Sequence, residues 1–136
     1  MRIFALSPEQ VEHVWPDFEP LMQKMEAVGD LGAQTIRKNA ADGLLQIFGI
    51  QDDEQVRGVA LTEVMETPSG LILGIIGAVG AARGPLQERL LDEIGKWGAS
   101  IGCRAVRIHG RKGWVRRFPR FKPTGIVAEW PLQKVH

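Results

Sequence analysis

Leu71-Ile72-Leu73-Gly74-Ile75-Ile76-Gly77-Ala78-Val79-Gly80-Ala81-Ala82-Arg83-Gly84-Pro85-Leu86 is the stretch from which the rest of the chain is read. It opens with an apolar run to Val79, interrupted only by Gly74 and Gly77. A strand apolar on both faces is a central strand, covered above and below. A turn of small residues follows over 80–84, and Gly84 with Pro85 starts a helix over 85–101. Leu86, Leu90, Leu91, Ile94, Trp97 and Ile101 line one face of it, while Glu88, Arg89, Asp92, Glu93, Lys96 and Ser100 line the other. Gly95, Gly98, Ala99 and Gly102 add a strip of small residues to the buried side. Each interior glycine costs roughly 1 kcal/mol of helix propensity relative to alanine, so close approach to a neighbouring sheet is the expected compensation. The stretch 105–110 then reads as the next strand, a parallel neighbour of the first across the helical crossover.

The chain has 136 residues, 44% of them hydrophobic and 24% charged, with a formal net charge of +1. That length implies a single domain, 1–136, with a core of useful size. No apolar run reaches the roughly 18 residues a membrane span requires. The opening Met1-Arg2-Ile3-Phe4-Ala5-Leu6 is short for a secretory leader and soon turns acidic, so a cytoplasmic location without membrane insertion is expected. One cysteine, Cys103, excludes an internal disulfide framework and fits a reducing compartment.

Upstream of the central strand, residues 2–5 read as a short first strand. Ser7-Pro8-Glu9-Gln10 has the form of a capping box, with proline at the first helical position. Pro16 disfavours helical geometry in the residue before it, which places a helix end near Trp15. A second helix is expected from Asp17 to Val28, with Phe18, Leu21, Met22, Met25 and Val28 on one side, closed by Gly29 and Gly32. A third covers 33–41 and stops at Gly43. The pattern then changes: 44–50 and 56–66 read as strands joined by the polar loop Gln51-Asp52-Asp53-Glu54-Gln55. Thr67-Pro68-Ser69-Gly70 turns into the central strand.

The C-terminal part is strongly basic. Arg104, Arg107, Arg111, Lys112, Arg116, Arg117, Arg120 and Lys122 are eight basic residues in nineteen, with no acidic residue among them. A short helix over 113–118 and a last strand over 124–130 are expected there. The acidic first half, densest at Asp52-Asp53-Glu54, contrasts with it and permits head-to-tail homo-oligomerisation.

This order of elements resembles the Gcn5-related N-acetyltransferase (GNAT) fold. The resemblance covers about 44–132, and 1–43 match it loosely. It implies an α/β (α+β) domain with a central mixed, mostly antiparallel sheet flanked by helices, in which the strand after the crossover helix splays from the one before it. His109-Gly110-Arg111-Lys112-Gly113-Trp114, Phe118-Pro119-Arg120-Phe121 and Val56-Arg57-Gly58-Val59-Ala60-Leu61-Thr62-Glu63-Val64 are similar to segments of short GNAT-like proteins of tailed phages and prophages, the T7-type internal virion or assembly proteins among them.

Enzymes of the fold seat the pyrophosphate of acetyl-coenzyme A on the crossover helix, through a loop of the form Gln/Arg-x-x-Gly-x-Gly/Ala. Free N–H groups and the helix dipole favour an anion there. The resemblance therefore assigns Gly80, Ala81, Ala82, Arg83, Gly84 and Leu86 to the cofactor seat. Counting from Arg83, however, Leu86 and Glu88 stand where small residues are wanted, and Pro85 lacks an N–H. The small turn still keeps backbone accessible to a ligand.

Acyl transfer to an amine needs a base and commonly a tyrosine to protonate the departing thiolate, and the chain has no tyrosine. Candidate bases are Glu63, Glu66 and His109; the plain alternatives are a solvated strand glutamate and an end-of-strand histidine. Cys103 reads as a small buried residue, and no metal-ligand spacing is present. The basic segment reads three ways besides a solvated face: a grip on cofactor phosphates, a nucleic-acid contact through 104–122, or a docking face for an acidic partner through Arg111, Lys112, Trp114, Arg116, Arg117 and Arg120. The broken loop and the missing tyrosine lead to a first expectation of a catalytically degenerate accessory, virion-associated or assembly protein with phage or host partners. The alternative is an acetyl-CoA-dependent N-acetyltransferase acting on an amine of a protein or small molecule, and nucleic-acid binding is a third.

Overall fold

The computed structural model describes residues 2–28, 31–80 and 85–108. Their order is β1 (Arg2–Ala5), α1 (Pro8–Val28), α2 (Ala33–Ala41), β2 (Gln46–Asp52), β3 (Gln55–Thr67), β4 (Gly70–Gly80), α3 (Pro85–Ser100) and β5 (Ala105–Ile108). The strands form one sheet in the order β1-β2-β3-β4-β5. The first four are antiparallel to their neighbours, whereas β4 and β5 are parallel across α3. This is the mixed, mostly antiparallel α/β sheet expected. The helix over 113–118 and the strand over 124–130 lie outside the described residues.

The sheet separates two apolar layers. On one face α1 and α2 pack Val11, Trp15, Phe18, Met22, Met25 and Ile36 against Ile47, Val59 and Leu61. On the other, Leu90, Leu91 and Ile94 of α3 meet Phe48, Ile50, Ala60, Leu73 and Ile75. Successive residues of a strand alternate between the layers away from the register shifts in β3 and β4, as the two-residue repeat of a strand requires.

Three expectations are corrected. The helix does not end at Trp15: α1 is continuous, with Pro16 and Pro20 inside it. Both prolines are exposed, so the carbonyls they leave unpaired face water. Val11, Trp15, Phe18, Leu21, Met22 and Met25 form one buried stripe across the proline positions. Each such side chain contributes about 1.5–3 kcal/mol on burial, against roughly 3 kcal/mol for an interior proline. The stripe prevails. The side chain of Val28 lies outside the described residues.

The glycine strip of α3 is also not continuous. A Cβ on Gly98 would lie 3.1 Å from Leu73 Cδ2, a true close approach, whereas one on Gly95 or Gly102 would meet nothing within 4 Å. Gly102 instead carries a positive φ of 90° just past the helix end. Ala99 and Ile101 are exposed. The third correction concerns β4, which is buried on both faces only over 72–75; from Ile76 onward it alternates between exposed and half-buried.

Other boundaries moved little. Ser7 N–H donates to the Gln10 side chain at 3.0 Å, which is one half of the capping box. Leu44 and Leu45 precede β2 rather than open it. The polar loop contracts to Asp53 and Glu54, both at positive φ (45° and 68°), the two-residue turn whose twist suits a hairpin. Arg37 of α2 ties back to α1: its Nε donates to both carboxylate oxygens of Glu12 at 3.0 Å, and its guanidinium stands 5.6 Å from the centre of the Trp15 ring.

Two measurements check this account. Pro16→Ala should raise the unfolding free energy by about 1 kcal/mol or more, by restoring an amide donor inside a continuous helix; urea denaturation reads it, and a loss of stability would mean the helix depends on the proline. The hydrogen bond from Arg37 holds the Glu12 carboxyl below its ordinary pKa, with the guanidinium charge adding to it and partial desolvation opposing. A lowered folded-state pKa contributes stability above the ordinary glutamate range, and that contribution is lost as pH falls through the lowered value. In Arg37→Ala the Glu12 titration should therefore move up to the ordinary range, as followed by NMR.

Candidate functional site

β4 positions the site through a single irregularity. Leu61 of β3 pairs with Gly77 and Thr62 with Ile75, so Ile76 is an extra residue without a partner on β3. Such a bulge reverses the alternation of the strand that carries it. Before it, Leu73 and Ile75 face the α3 layer; after it, Val79 joins the α1 layer, and a Cβ on Gly77 would lie 2.7 Å from Met25 Sδ. The lack of a side chain at Gly77 is what lets α1 sit on the backbone there. Beside the bulge, fully buried Thr62 donates its hydroxyl proton to Gln46 Oε1 at 2.9 Å, which pins β2 to β3 at that level.

The described residues of β5 pair with β4 over Ile72–Ile75. Among the described residues, nothing pairs with β4 on that side from Ile76 to Gly80. Ile76 retains 36% of its surface, and Ala78 and Gly80 are exposed. A strand edge with free N–H and C=O groups accepts an extended, amide-bearing chain as though it were a further strand. The edge ends at Gly80, where φ is 109° and a Cβ would collide with the carbonyl of Arg57 and with Gly58 Cα, so the exit requires glycine.

The residues test a coenzyme A donor in two halves. The pantetheine arm, a flexible chain with two amides, suits the β4 edge. At the first turn of α3, Pro85 has no N–H to give, Leu86 packs its side chain with the α3-side core, and Glu88 is half-buried. Of the residues assigned to the cofactor seat, Gly80 ends the open edge and Leu86 belongs to the core, while Ala81, Ala82, Arg83 and Gly84 lie outside the described residues.

Glu63 is exposed on β3, one register step from the bulge, and is paired with Gly74. Gly74 in turn pairs with Arg107 of β5, so Glu63 and Arg107 flank a glycine on one face of three adjacent strands. Met65 Cε occupies the space over Gly74 that a Cβ would need. Glu66 is exposed further along β3, towards the turn. His109, Trp114 and the basic residues Arg111, Lys112, Arg116, Arg117 and Arg120 lie outside the described residues. Arg104, just before β5, donates its backbone N–H to the Leu71 carbonyl at 2.8 Å. Cys103 is half-buried against the α3-side core. Sequence reasoning missed Ile76; its one signal is the adjacent Ile75-Ile76 pair between two glycines, where no alternation can be continued.

No protein-family model matches the chain, and no curated protein does. Solved structures match along nearly its full length. An aminoglycoside acetyltransferase from an uncultured soil metagenomic sample, in complex with trehalose, superposes with a TM-score of 0.69 at 14% identity, over 99% of this chain and 95% of that one. A predicted acetyltransferase with acetyl-CoA from Clostridium acetobutylicum gives 0.67 at 11%, over 96% and 95%. The ribosomal-protein-alanine N-acetyltransferase of Brucella melitensis biovar Abortus gives 0.65 at 12%, over 100% and 99%. The chain therefore has the GNAT fold. None of these likenesses bears on a phage origin.

Ile76→Asp tests the open edge. The side chain is already exposed, so the unfolding free energy should stay within about 1 kcal/mol of the parent value, while binding of an acetyl thioester, followed by calorimetry, should be lost. Undiminished binding would move the site off β4.

Proposed function

We propose that the chain is an acyltransferase that moves an acyl group from a pantetheine thioester to an amine. The observation that carries this reading is the bulge at Ile76. Among the described residues, Ile76 itself and, beyond it, Ala78 and Gly80 are exposed. The GNAT fold supports the same reading, since the three solved proteins described above are each named as acetyltransferases. The phage accessory role has no comparable support, and the acyltransferase alternative takes precedence over it.

In this reading the edge of β4 orients the thioester, and Ile76 provides apolar surface that keeps water from the reacting carbonyl. Glu63 accepts the proton given up by the amine. The amine nitrogen forms a bond to the acyl carbon, the carbon–sulfur bond breaks, and the thiolate takes its proton from water, because the chain has no tyrosine to supply one. The exposed carboxylate of Glu63 is open to an amine approaching from solvent. Acceptors carrying a cationic amine are favoured by the same carboxylate.

A panel of amines incubated with acetyl-CoA and with acetyl-pantetheine should release free thiol in an amine-dependent manner. Absence of release with every amine, together with absence of binding of either donor to the folded protein, would refute the proposal. Glu63→Gln should lower kcat by about 10²–10⁴-fold with KM little changed. An unchanged kcat would remove Glu63 from the reaction and leave it a solvated strand residue.

A further inference from the structure

The face of the sheet turned away from α3 carries two opposite charges, of which acyl transfer as proposed uses one. Along β3, Val59 and Leu61 belong to the α1-side layer and Ala60 and Val64 to the α3-side layer, so Glu63 follows Leu61 onto the α1 face. Leu73 and Ile75 of β4, like Val106 and Ile108 of β5, pack with the α3-side layer. Gly74 and Arg107, which alternate with them, are thereby turned to the α1 face as well. The register sets the three in one line across the sheet, Glu63 opposite Gly74 and Gly74 opposite Arg107. Gly74 has no side chain to part the two charges, and the floor between them is the thioether methyl of Met65, a soft apolar contact. Glu63 is exposed and Arg107 half-buried, and among the described residues neither enters an ion pair.

Neighbouring strands stand about 4.8 Å apart, so two strand spacings set the bases of these side chains about 10 Å apart. A charge-assisted hydrogen bond of about 2.8 Å at each end leaves about 4 Å between them. That is the separation of amine and carboxylate in a short ω-amino acid. A plain amine would leave the guanidinium unused, and a diamine would bring a second cation against it. We infer that the acceptor is a short ω-amino acid, its amine at Glu63 and its carboxylate at Arg107. The planar fork of Arg107 meets a carboxylate with two parallel N–H donors. This inference rests on the acyltransferase reading above and narrows its acceptor. The bond formed, the bond broken and the path of each proton are those of that reading; Arg107 takes no part in them and selects the acceptor.

Thiol release from acetyl-CoA by the full chain, with γ-aminobutyrate, butylamine and putrescine as acceptors, tests it. The three carry amines of similar basicity and differ in what stands at the far end. The kcat/KM for γ-aminobutyrate should exceed that for either of the others by about tenfold or more. In Arg107→Gln, which keeps most of the half-buried stem, the ratio of γ-aminobutyrate to butylamine should fall by about tenfold. Arg107→Glu should reverse the order and place putrescine above γ-aminobutyrate, an outcome that a folding defect does not produce. Turnover of butylamine or putrescine without preference for γ-aminobutyrate would overturn the inference and leave the acyltransferase reading standing. A ratio unmoved by Arg107→Gln, or an equal loss for all three acceptors in Arg107→Glu, would remove Arg107 from the site and overturn it too. Absence of thiol release with all three would overturn the inference, and, joined to absence of donor binding by the folded protein, the acyltransferase reading with it.

Discussion

Backbone pairing between β3 and β4 runs from Gly58–Gly80 to Thr67–Gly70, the longest ladder in the sheet, and is interrupted once, opposite Leu61 and Thr62. That interruption is a constraint on everything around it. A strand that gains a residue must exchange its faces beyond that point, so the positions that meet α3 before Ile76 and those that meet α1 after it are set together. Were Ile76 paired in regular alternation rather than bulged, Val79 would point into the α3 layer and Gly77 would no longer lie beneath Met25. The described pairs of β5 reach the same level on the other side of β4. One backbone irregularity thus fixes the seating of α1 and the content of both layers.

The two layers bear this differently. The α1–α2 layer is the more complete, holding Trp15, Phe18, Met22 and Ile36 at 2% exposure or less. Its quality is what allows α1 to carry two prolines on its wet side. The α3 layer is closed by Phe48 and Trp97, whose rings meet edge to face at 6.1 Å, and by the close approach of Gly98 to Leu73. That contact draws the far end of α3 onto the sheet, while Leu86 packs its first turn against the same core.

Much of this was legible in the chain itself. The bounds of β1 and α2 follow from local punctuation, Ser7-Pro8 on one side and Gly32 and Gly43 on the other. The apolar face of α3 follows from its spacing. What was not legible depends on competition between distant parts. The rule against helix before Pro16 is local, and six buried side chains that overrule it are visible only once a sheet lies beneath them. Gly95 and Gly98 look alike in a periodic pattern; which one meets the sheet depends on the rotation of the helix, set by Leu90, Leu91 and Ile94. The bulge was hidden for a related reason, since a run apolar on both faces has no alternation to lose. For the site, Glu63 could be picked out as an acidic residue on a strand, but its place across from Gly74, in line with Arg107, comes only from the register.

An exposed strand edge is also a template for self-recruitment, since any other strand with free backbone groups can dock there and propagate into aggregates. The composition of β4 beyond Ile76 answers that hazard. Gly77, Ala78 and Gly80 are poor strand formers, the bulge adds local twist, and the edge is cut off by the tight contact of Gly80 with Arg57 and Gly58. A flat, valine-rich stretch of the same length would recruit another strand better. The glycines of this strand thus act on colloidal behaviour as much as on conformation: they make it a poor template for a pleated neighbour.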